Sequence, residues 1–421
     1  MRVLLLSDLY PPVIGGIELH VRNLAHGLSA RGHQVTVVTM HHEGQAIVER
    51  DGQVLVHRLR GTIHRLDRAY GDTQRRFAPP FPDPELTAAI RRIVRSERPD
   101  IIHGHNWLSR SFLPLKRESG ARLVLTLHDY GLVCAKRSLV YRGGLCSGPG
   151  LAKCLGCAGR HYGTAKGMVI TLGTFGSGPI ERRAVDLFLP VSSAVATASR
   201  LEIDGAPFEV IPNFVPDDIA HDAHPPVVDR EHALPVEPYI LYVGALTPHK
   251  GVPDLLAAYE RLDRAPPLVL IGTRWPDSPT SFPAGTTVLT DVPHAKVMQA
   301  WRRSLFGVVP SIFPDPCPTV AMEGMASGRA LVASRVGGLP DLVDDGVTGL
   351  LTPAGDRRAL AAAMQLLVDD PRMADRLGEG GRRKVVDFMS SRVLTRIEAA
   401  YRRVLQPDAR TDAGPDQDGA G

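Results

Sequence analysis

Short apolar runs alternate with amphipathic stretches through the first half of the chain, at residues 3–6, 35–38, 101–103, 123–127, 187–191 and 210–211. Brief, nearly continuous runs of this kind predict parallel strands buried on both faces. Between the first two runs, Ile17, Val21, Leu24 and Leu28 recur at spacings of 4, 3 and 4, the face of a helix that Gly32 would end. Strand, glycine loop, helix and strand make a βαβ unit. The pattern restarts near residue 238, with runs at 239–243, 268–271, 288–289, 308–309, 331–332 and 350–351, and with Leu255, Leu256, Tyr259 and Leu262 as a helical face between the first two. The last helical stretch is expected over 372–405.

This pattern predicts an α/β fold of two doubly wound, Rossmann-like domains facing a deep cleft. The expected divisions are a first domain over 1–215, a linker over 216–237 rich in Asp, His and Pro, and a second domain over 238–384. A C-terminal helix over 385–405 is expected to pack back on the first domain, ahead of a disordered tail over 406–421. Ligands of doubly wound sheets bind beyond the carboxyl ends of the strands, so the loops after each run are where chemistry is sought.

Composition narrows the classes. Hydrophobic residues make up 43% of the 421 and charged residues 22%, the balance of a globular protein. The 49 Lys and Arg against 45 Asp and Glu leave a net charge of +4, too little for a nucleic-acid binder. No apolar run approaches the roughly 18 residues of a membrane span. The start, MRVLLLSDLYPP, is too short in its apolar part for a signal peptide, so a cytoplasmic chain with reduced thiols is expected, with peripheral contact at the inner membrane face left open. A basic stretch of Arg58, Arg60, His64, Arg65, Arg68, Arg75 and Arg76 reads as a solvated loop or as a patch for anionic lipid or a phosphorylated acceptor.

Four loops carry candidate chemistry. Gly15 and Gly16 precede the first helix, where a bare backbone admits a ligand and a helix N-terminus favours an anion; a tight turn reads equally well. Gly244 opens Gly244-Ala245-Leu246-Thr247-Pro248-His249-Lys250-Gly251, in which Lys250 can meet a diphosphate as a point charge or stand in solvent. In the segment from Pro314 to Gly328, Pro318 and Thr319 start a helix whose free amides suit phosphate. Asp315 and Glu323 are carboxylates able to accept from vicinal hydroxyls, or else a helix cap and a surface charge. Gly337-Gly338 follows the next strand. A ligand with sugar hydroxyls at both ends and a diphosphate between satisfies all these groups.

The order and spacing of these segments resemble the retaining glycosyltransferases of family 4, of GT-B architecture, over essentially residues 1–405. The resemblance implies roles by position. Asp315 meets the donor sugar and Glu323 the nucleotide ribose, Lys250 binds the donor diphosphate, and Gly15 and Gly16 form the glycine loop near acceptor and phosphate. His128, in Thr126-Leu127-His128-Asp129, is the active-site histidine facing the donor sugar, and Asn213 follows the last strand of the first domain. Gly244, Pro318 and Thr319 belong to the donor site. Three positions depart from the common pattern: Ala245 for Arg, Asp315 for Glu and Asp341 for Glu. The implied partners are a nucleotide-sugar donor, required without a further cofactor, and an acceptor that is a polysaccharide, a lipid-linked sugar or a small metabolite. The implied transfer has no protein nucleophile. A non-hydrolysing nucleotide-sugar epimerase of the same architecture is the alternative, and a non-catalytic sugar-binding protein a further one.

Cys134, Cys146, Cys154 and Cys157 stand at spacings of x11, x7 and x2, which admit a structural zinc held by four thiolates or four ordinary thiols. His103-Gly104-His105 has the look of a metal pair but reads better as a strand end lining the cleft, since no third ligand stands at a fitting spacing.

Overall fold

A computed structural model describes residues 1–13, 15–69, 76–219 and 233–406. The first half folds on strands β1 (Arg2–Ser7), β2 (Gln34–Met40), β3 (Val48–Asp51), β4 (Val54–Leu59), β5 (Ile101–Gly104), β6 (Arg122–Leu127), β7 (Val140–Tyr141), β8 (Gly144–Leu145) and β9 (Leu187–Pro190). Seven of them form one sheet in the order β3-β4-β2-β1-β5-β6-β9, parallel except for β3 against β4; β7 and β8 make a separate hairpin. The helices of this half are α1 (Gly16–Ala30), α2 (Pro84–Glu97), α3 (Lys116–Ser119), α4 (Leu151–Tyr162), α5 (Thr164–Ala184) and α6 (Ser193–Ala198).

The second half repeats the plan with β10 (Tyr239–Val243), β11 (Leu268–Ile271), β12 (Thr286–Leu289), β13 (Ser304–Val309), β14 (Ala330–Ser334) and β15 (Gly349–Thr352), all parallel in the order β12-β11-β10-β13-β14-β15. Its helices are α7 (Val252–Tyr259), α8 (His294–Arg303), α9 (Thr319–Ala326), α10 (Leu339–Leu342), α11 (Arg357–Asp369) and α12 (Pro371–Lys384), and the chain ends its described part on α13 (Ser390–Leu405). Both sheets are the doubly wound α/β type. In each, the order steps to one side of the first strand and then to the other, which opens a crevice at that strand's carboxyl end.

Eleven of the twelve apolar runs are strands. The exception is 210–211, where Ile211 N–H still donates to Pro190 O at 3.1 Å but no regular strand forms. Strand β3 at the sheet edge is Val-Glu-Arg-Asp with no apolar run, and β4 beside it opens on the short run Val54-Leu55-Val56 and alternates buried with half-buried positions. The stretch expected as one helix over 372–405 is two helices with a 3-10 turn, Val385–Phe388, between them. Met389 is extended there, and Ser390 N–H donates to Val215 O, so the chain crosses from the second half to the first at that point. Val393, Leu394, Ile397, Ala400 and Tyr401 of α13 then join Val21, Leu24 and Leu28 of α1 in one core.

Of the linker stretch, 220–232 lies outside the described residues, as does 407–421 of the tail. Among the described residues no helix is long and apolar enough to cross a membrane. The basic stretch is split: Arg58 is 1% exposed, donates to Pro11 O at 2.8 Å and pairs with Glu49, and Arg76 is buried, whereas Arg60 and Arg65 are exposed and the Arg68 side chain lies outside the described residues. Arg75 lies outside the described residues.

Candidate functional site

Tight turns bring the second half's charged residues together. After β10, Gly244 presses its carbonyl against Gly272, where a Cβ would lie 1.7 Å from it. The loop then ends at Gly251, whose φ of +78° is left-handed and whose missing Cβ would overlap Pro310 O at 1.8 Å. Only glycine fits there, and it packs the Lys250 turn against the loop that follows β13. Lys250 Nζ reaches Asp315 Oδ2 at 2.5 Å and lies 4.9 Å from the centroid of the Phe313 ring. Asp315 is buried, and its main chain is clamped from the other side by Gly337 and Gly338, with Gly338 N–H donating to Asp315 O at 2.8 Å.

Pro318 precedes α9 and offers no side-chain cap, so the amides of Thr319 and Val320 remain available donors while Ala321 N–H donates to Pro318 O at 3.1 Å. Glu323, one turn in, is buried and lies 3.0 Å from His294 Nε2 at the start of α8. The hydrogen bond to Glu323 raises the His294 pKa above its ordinary value. Nothing in the sequence pattern pointed to His294.

The first half contributes buried imidazoles. His128 follows β6, His103 and His105 stand at the end of β5, and His20 lies on α1, four residues before Leu24 on the helix's inner stripe. His105 Nδ1 and His128 Nε2 share a hydrogen bond of 3.0 Å, and the rings of His20 and His128 meet edge-on at 4.7 Å. His103 is held by Tyr401 Oη at 2.6 Å and Thr126 Oγ1 at 2.7 Å. Burial lowers all four pKa values, with His103 and His128 brought to about 3. Asp8, beyond β1, accepts from Leu108 N–H at 2.7 Å, and burial raises its pKa to about 7. Among the described residues, His20, His105 and His128 are the one group of three His, Cys, Asp or Glu side chains whose ligand atoms lie within 4.8 Å of one another. The partners of His105 that sequence spacing did not reveal therefore come from α1 and β6.

Hydrogen bonds join the two walls. Asn213 Nδ2 donates to Cys317 O at 3.0 Å, Tyr130 Oη donates to Pro314 O at 2.8 Å, and Ser193 N–H donates to Asp341 Oδ2 at 2.7 Å. Gly15 and Gly16 open α1, and a Cβ at Gly16 would meet nothing within 4 Å, so crowding does not require that glycine. Cys134, Cys146, Cys154 and Cys157 are free thiols that line one small cavity beside the β7–β8 hairpin, with their sulfurs spread more widely than a closed thiolate set.

Comparison with known proteins bears on the family and the fold. Residues 14–219 match the model described as Glycosyltransferase Family 4, and residues 237–370 the model described as Glycosyl transferases group 1. The glycogen synthase of Mycobacterium tuberculosis is 27% identical over 95% of this chain and 94% of its own length. Among solved structures, sucrose-phosphate synthase from Thermosynechococcus elongatus superposes with a TM-score of 0.72 at 22% identity, covering 96% of this chain and 98% of that one. HepE of Anabaena in complex with UDP-glucose does so with a TM-score of 0.63 at 15% identity, over 96% and 100%. At such identities the superpositions speak for the fold, which is GT-B.

Proposed function

This chain belongs to glycosyltransferase family 4, and from that premise we propose that it transfers a sugar from a nucleotide-sugar donor to an acceptor hydroxyl with retention of anomeric configuration. The observation that carries the reading is the contact of Lys250 with Asp315 at 2.5 Å beside the uncapped start of α9. A cation, a buried carboxylate and free amides then face one place, as a diphosphate joined to a sugar requires. Four extended residues and one helical turn cap the Cα separation of Asp315 and Glu323 at about 20 Å, so one extended molecule spans both.

In the proposed transfer the bond from the anomeric carbon to the donor phosphate oxygen breaks. The acceptor oxygen bonds that carbon from the same face, and its proton passes to a donor phosphate oxygen. Lys250 exchanges Asp315 for the departing diphosphate, and the α9 amides share its charge. Asp315, relieved of Lys250, accepts from the sugar hydroxyls, and Glu323 accepts from the ribose. His128, held by His105 and neutral at physiological pH, orients the sugar without adding charge. Closure of the walls excludes water that would hydrolyse the donor.

Lys250→Ala is expected to lower kcat/KM about 100- to 1000-fold, the range for losing one charge-stabilising group. UDP-, ADP- and GDP-sugars screened by thermal shift identify the donor, since a tight ligand raises the unfolding midpoint. Wild-type-like turnover by both Lys250→Ala and Glu323→Ala would remove this site, and an isomerised donor with no acceptor product would replace the reading with epimerisation. The four cysteines line one cavity, and within the same proposal a structural zinc would have to draw their spread sulfurs together around it. About one zinc per chain on metal analysis is the expected result, and a metal-free protein of unchanged stability overturns it.

A further inference from the structure

Helix α5 is built inside out. Its buried residues are Gly167, Thr171, Thr174, Ser177, Gly178 and Glu181, all small or polar. Four of its large apolar residues face outward, Met168 at 49% exposure, Val169 49%, Leu172 51% and Ile180 57%, while Ile170 packs against the core and Phe175 is half-buried. At about 100° per residue these four fall within one arc of roughly 120°. Ala165, Gly176 and Pro179, also exposed, complete that stripe, and the next position in line with it is Arg183.

The inward face cannot rotate out to hide the stripe. A Cβ at Gly167 would lie 2.5 Å from the backbone of Ala158 and Gly159, so only this face lets α4 approach. Glu181 pairs with Arg110 at 2.9 Å, both buried, and exposing one would strand the other. The polar groups are used inside and the apolar ones are left for something else. Leu145 on β8 and Leu151 at the start of α4 are exposed as well.

Charge says what that something is. Residues 134–183 hold eight Lys and Arg and one carboxylate, Glu181, which is spent on Arg110. This is a net +7 in a chain whose total is +4, although Arg137 and Arg182 are spent on Asp129 and Asp204 outside the segment. Arg142, Lys153 and Arg160 gather about the Tyr141 ring, at 5.3, 5.9 and 5.9 Å from its centroid. Lys136, Arg142 and Arg160 also line one pocket with no carboxylate in its wall. A second copy of the chain would bring two such cationic surfaces together. An apolar stripe in line with the exposed Arg183, on a hairpin rich in cations, fits an anionic bilayer instead, with the helix in the plane of the headgroups.

We propose that the α4–α5 hairpin docks this protein on an anionic membrane surface, α5 inserting Met168, Val169, Leu172 and Ile180 while Arg142, Lys153, Arg160 and Arg183 meet lipid phosphates. Docking needs no donor, so it is read independently of the transfer reaction. The test is co-sedimentation of the full chain with vesicles of phosphatidylcholine alone and of phosphatidylcholine mixed with phosphatidylglycerol.

Wild-type protein is expected on the mixed vesicles and at least about tenfold less on phosphatidylcholine alone, with binding falling as salt rises. The fourfold variant Met168→Gln, Val169→Gln, Leu172→Gln and Ile180→Gln is expected to lose binding by about tenfold or more. Its unfolding midpoint should stay put, because the four side chains are exposed; should the midpoint drop, Leu172→Gln alone serves, with a severalfold loss. Lys153→Gln with Arg160→Gln should weaken binding about 25-fold, roughly fivefold for each cation. A wild type that ignores the mixed vesicles, or a stripe variant that binds them as wild type does, overturns the proposal. So does a wild-type dimer in light scattering that the stripe variant dissolves, since the occupant is then a second copy.

Discussion

On the first-half wall of the cleft, His20, His103, His105 and His128 are buried and uncharged, while on the second-half wall Lys250 with Asp315 and His294 with Glu323 form ion pairs. Both walls bury titratable groups. The difference lies in what faces them. The imidazoles meet one another, a tyrosine and a threonine, so burial has no opposing charge to balance it and the neutral form wins. The second wall places a carboxylate within 3.0 Å of Lys250 and of His294, and for His294 that contact raises the pKa. A wall of neutral donors and acceptors is suited to orienting sugar hydroxyls, and a wall of charges to holding a leaving diphosphate. The division of labour between the halves is thus written in their electrostatics.

The sharpest way to break this comparison is acid. His103 and His128 have folded pKa values near 3 against 6.5 unfolded, so between those values the unfolded chain binds more protons and stability falls as pH falls. At pH 5 each costs about 2 kcal/mol, or about 4 kcal/mol for the pair. Asp8 acts the other way: its pKa is raised from 3.8 to about 7, so the folded chain holds the extra proton and stability rises as pH drops through that window. From pH 7 to pH 5 it returns about 2 kcal/mol. The imidazoles win, and His20 and His105, lowered further still, add to their side. Urea unfolding at the two pH values should show a net loss at pH 5, and Asp8→Asn should make that loss larger by about 2 kcal/mol. A wild type equally stable at both pH values would mean that the first wall is not neutral.

The same contrast explains what sequence could reveal. Both sheets were legible, because strands buried on both faces carry unbroken apolar runs. The second wall was legible because its parts are local: Lys250 adjoins the Gly251 turn, and Asp315 and Glu323 bracket one helix start. The first wall was legible only in pieces: His128 and the His103–His105 strand end were singled out, but His20 and the meeting of the rings were not, since the histidines are spread from residue 20 to residue 128 and only the βαβ winding brings α1, β5 and β6 to one point. Arg58 misled because a count of basic residues is blind to strand alternation, which turns it inward. Helix α5, which the apolar pattern did not single out, runs against the usual rule that a helix's apolar face points in, since Glu181 on Arg110 points the polar face in instead.

The smallest expected effect probes the second wall alone. His294 has its pKa raised by the hydrogen bond to Glu323, so the folded state favours its proton. The stability this contributes is fully present below the unfolded value of 6.5 and is lost as pH rises through the higher folded value. The His294 side chain is 63% exposed, and solvent screens most of the pair's worth. Stability measurements are therefore a blunt probe, and the proton itself is the better readout. In Glu323→Gln the carboxylate becomes a neutral amide of nearly the same shape, and an NMR titration of His294 should move down toward 6.5. Adding the donor to wild-type protein should do the same, because Glu323 then accepts from the ribose in place of His294. A His294 titration unmoved by both changes would mean that Glu323 is not its partner in solution, and the second wall would lose one of its two charge pairs.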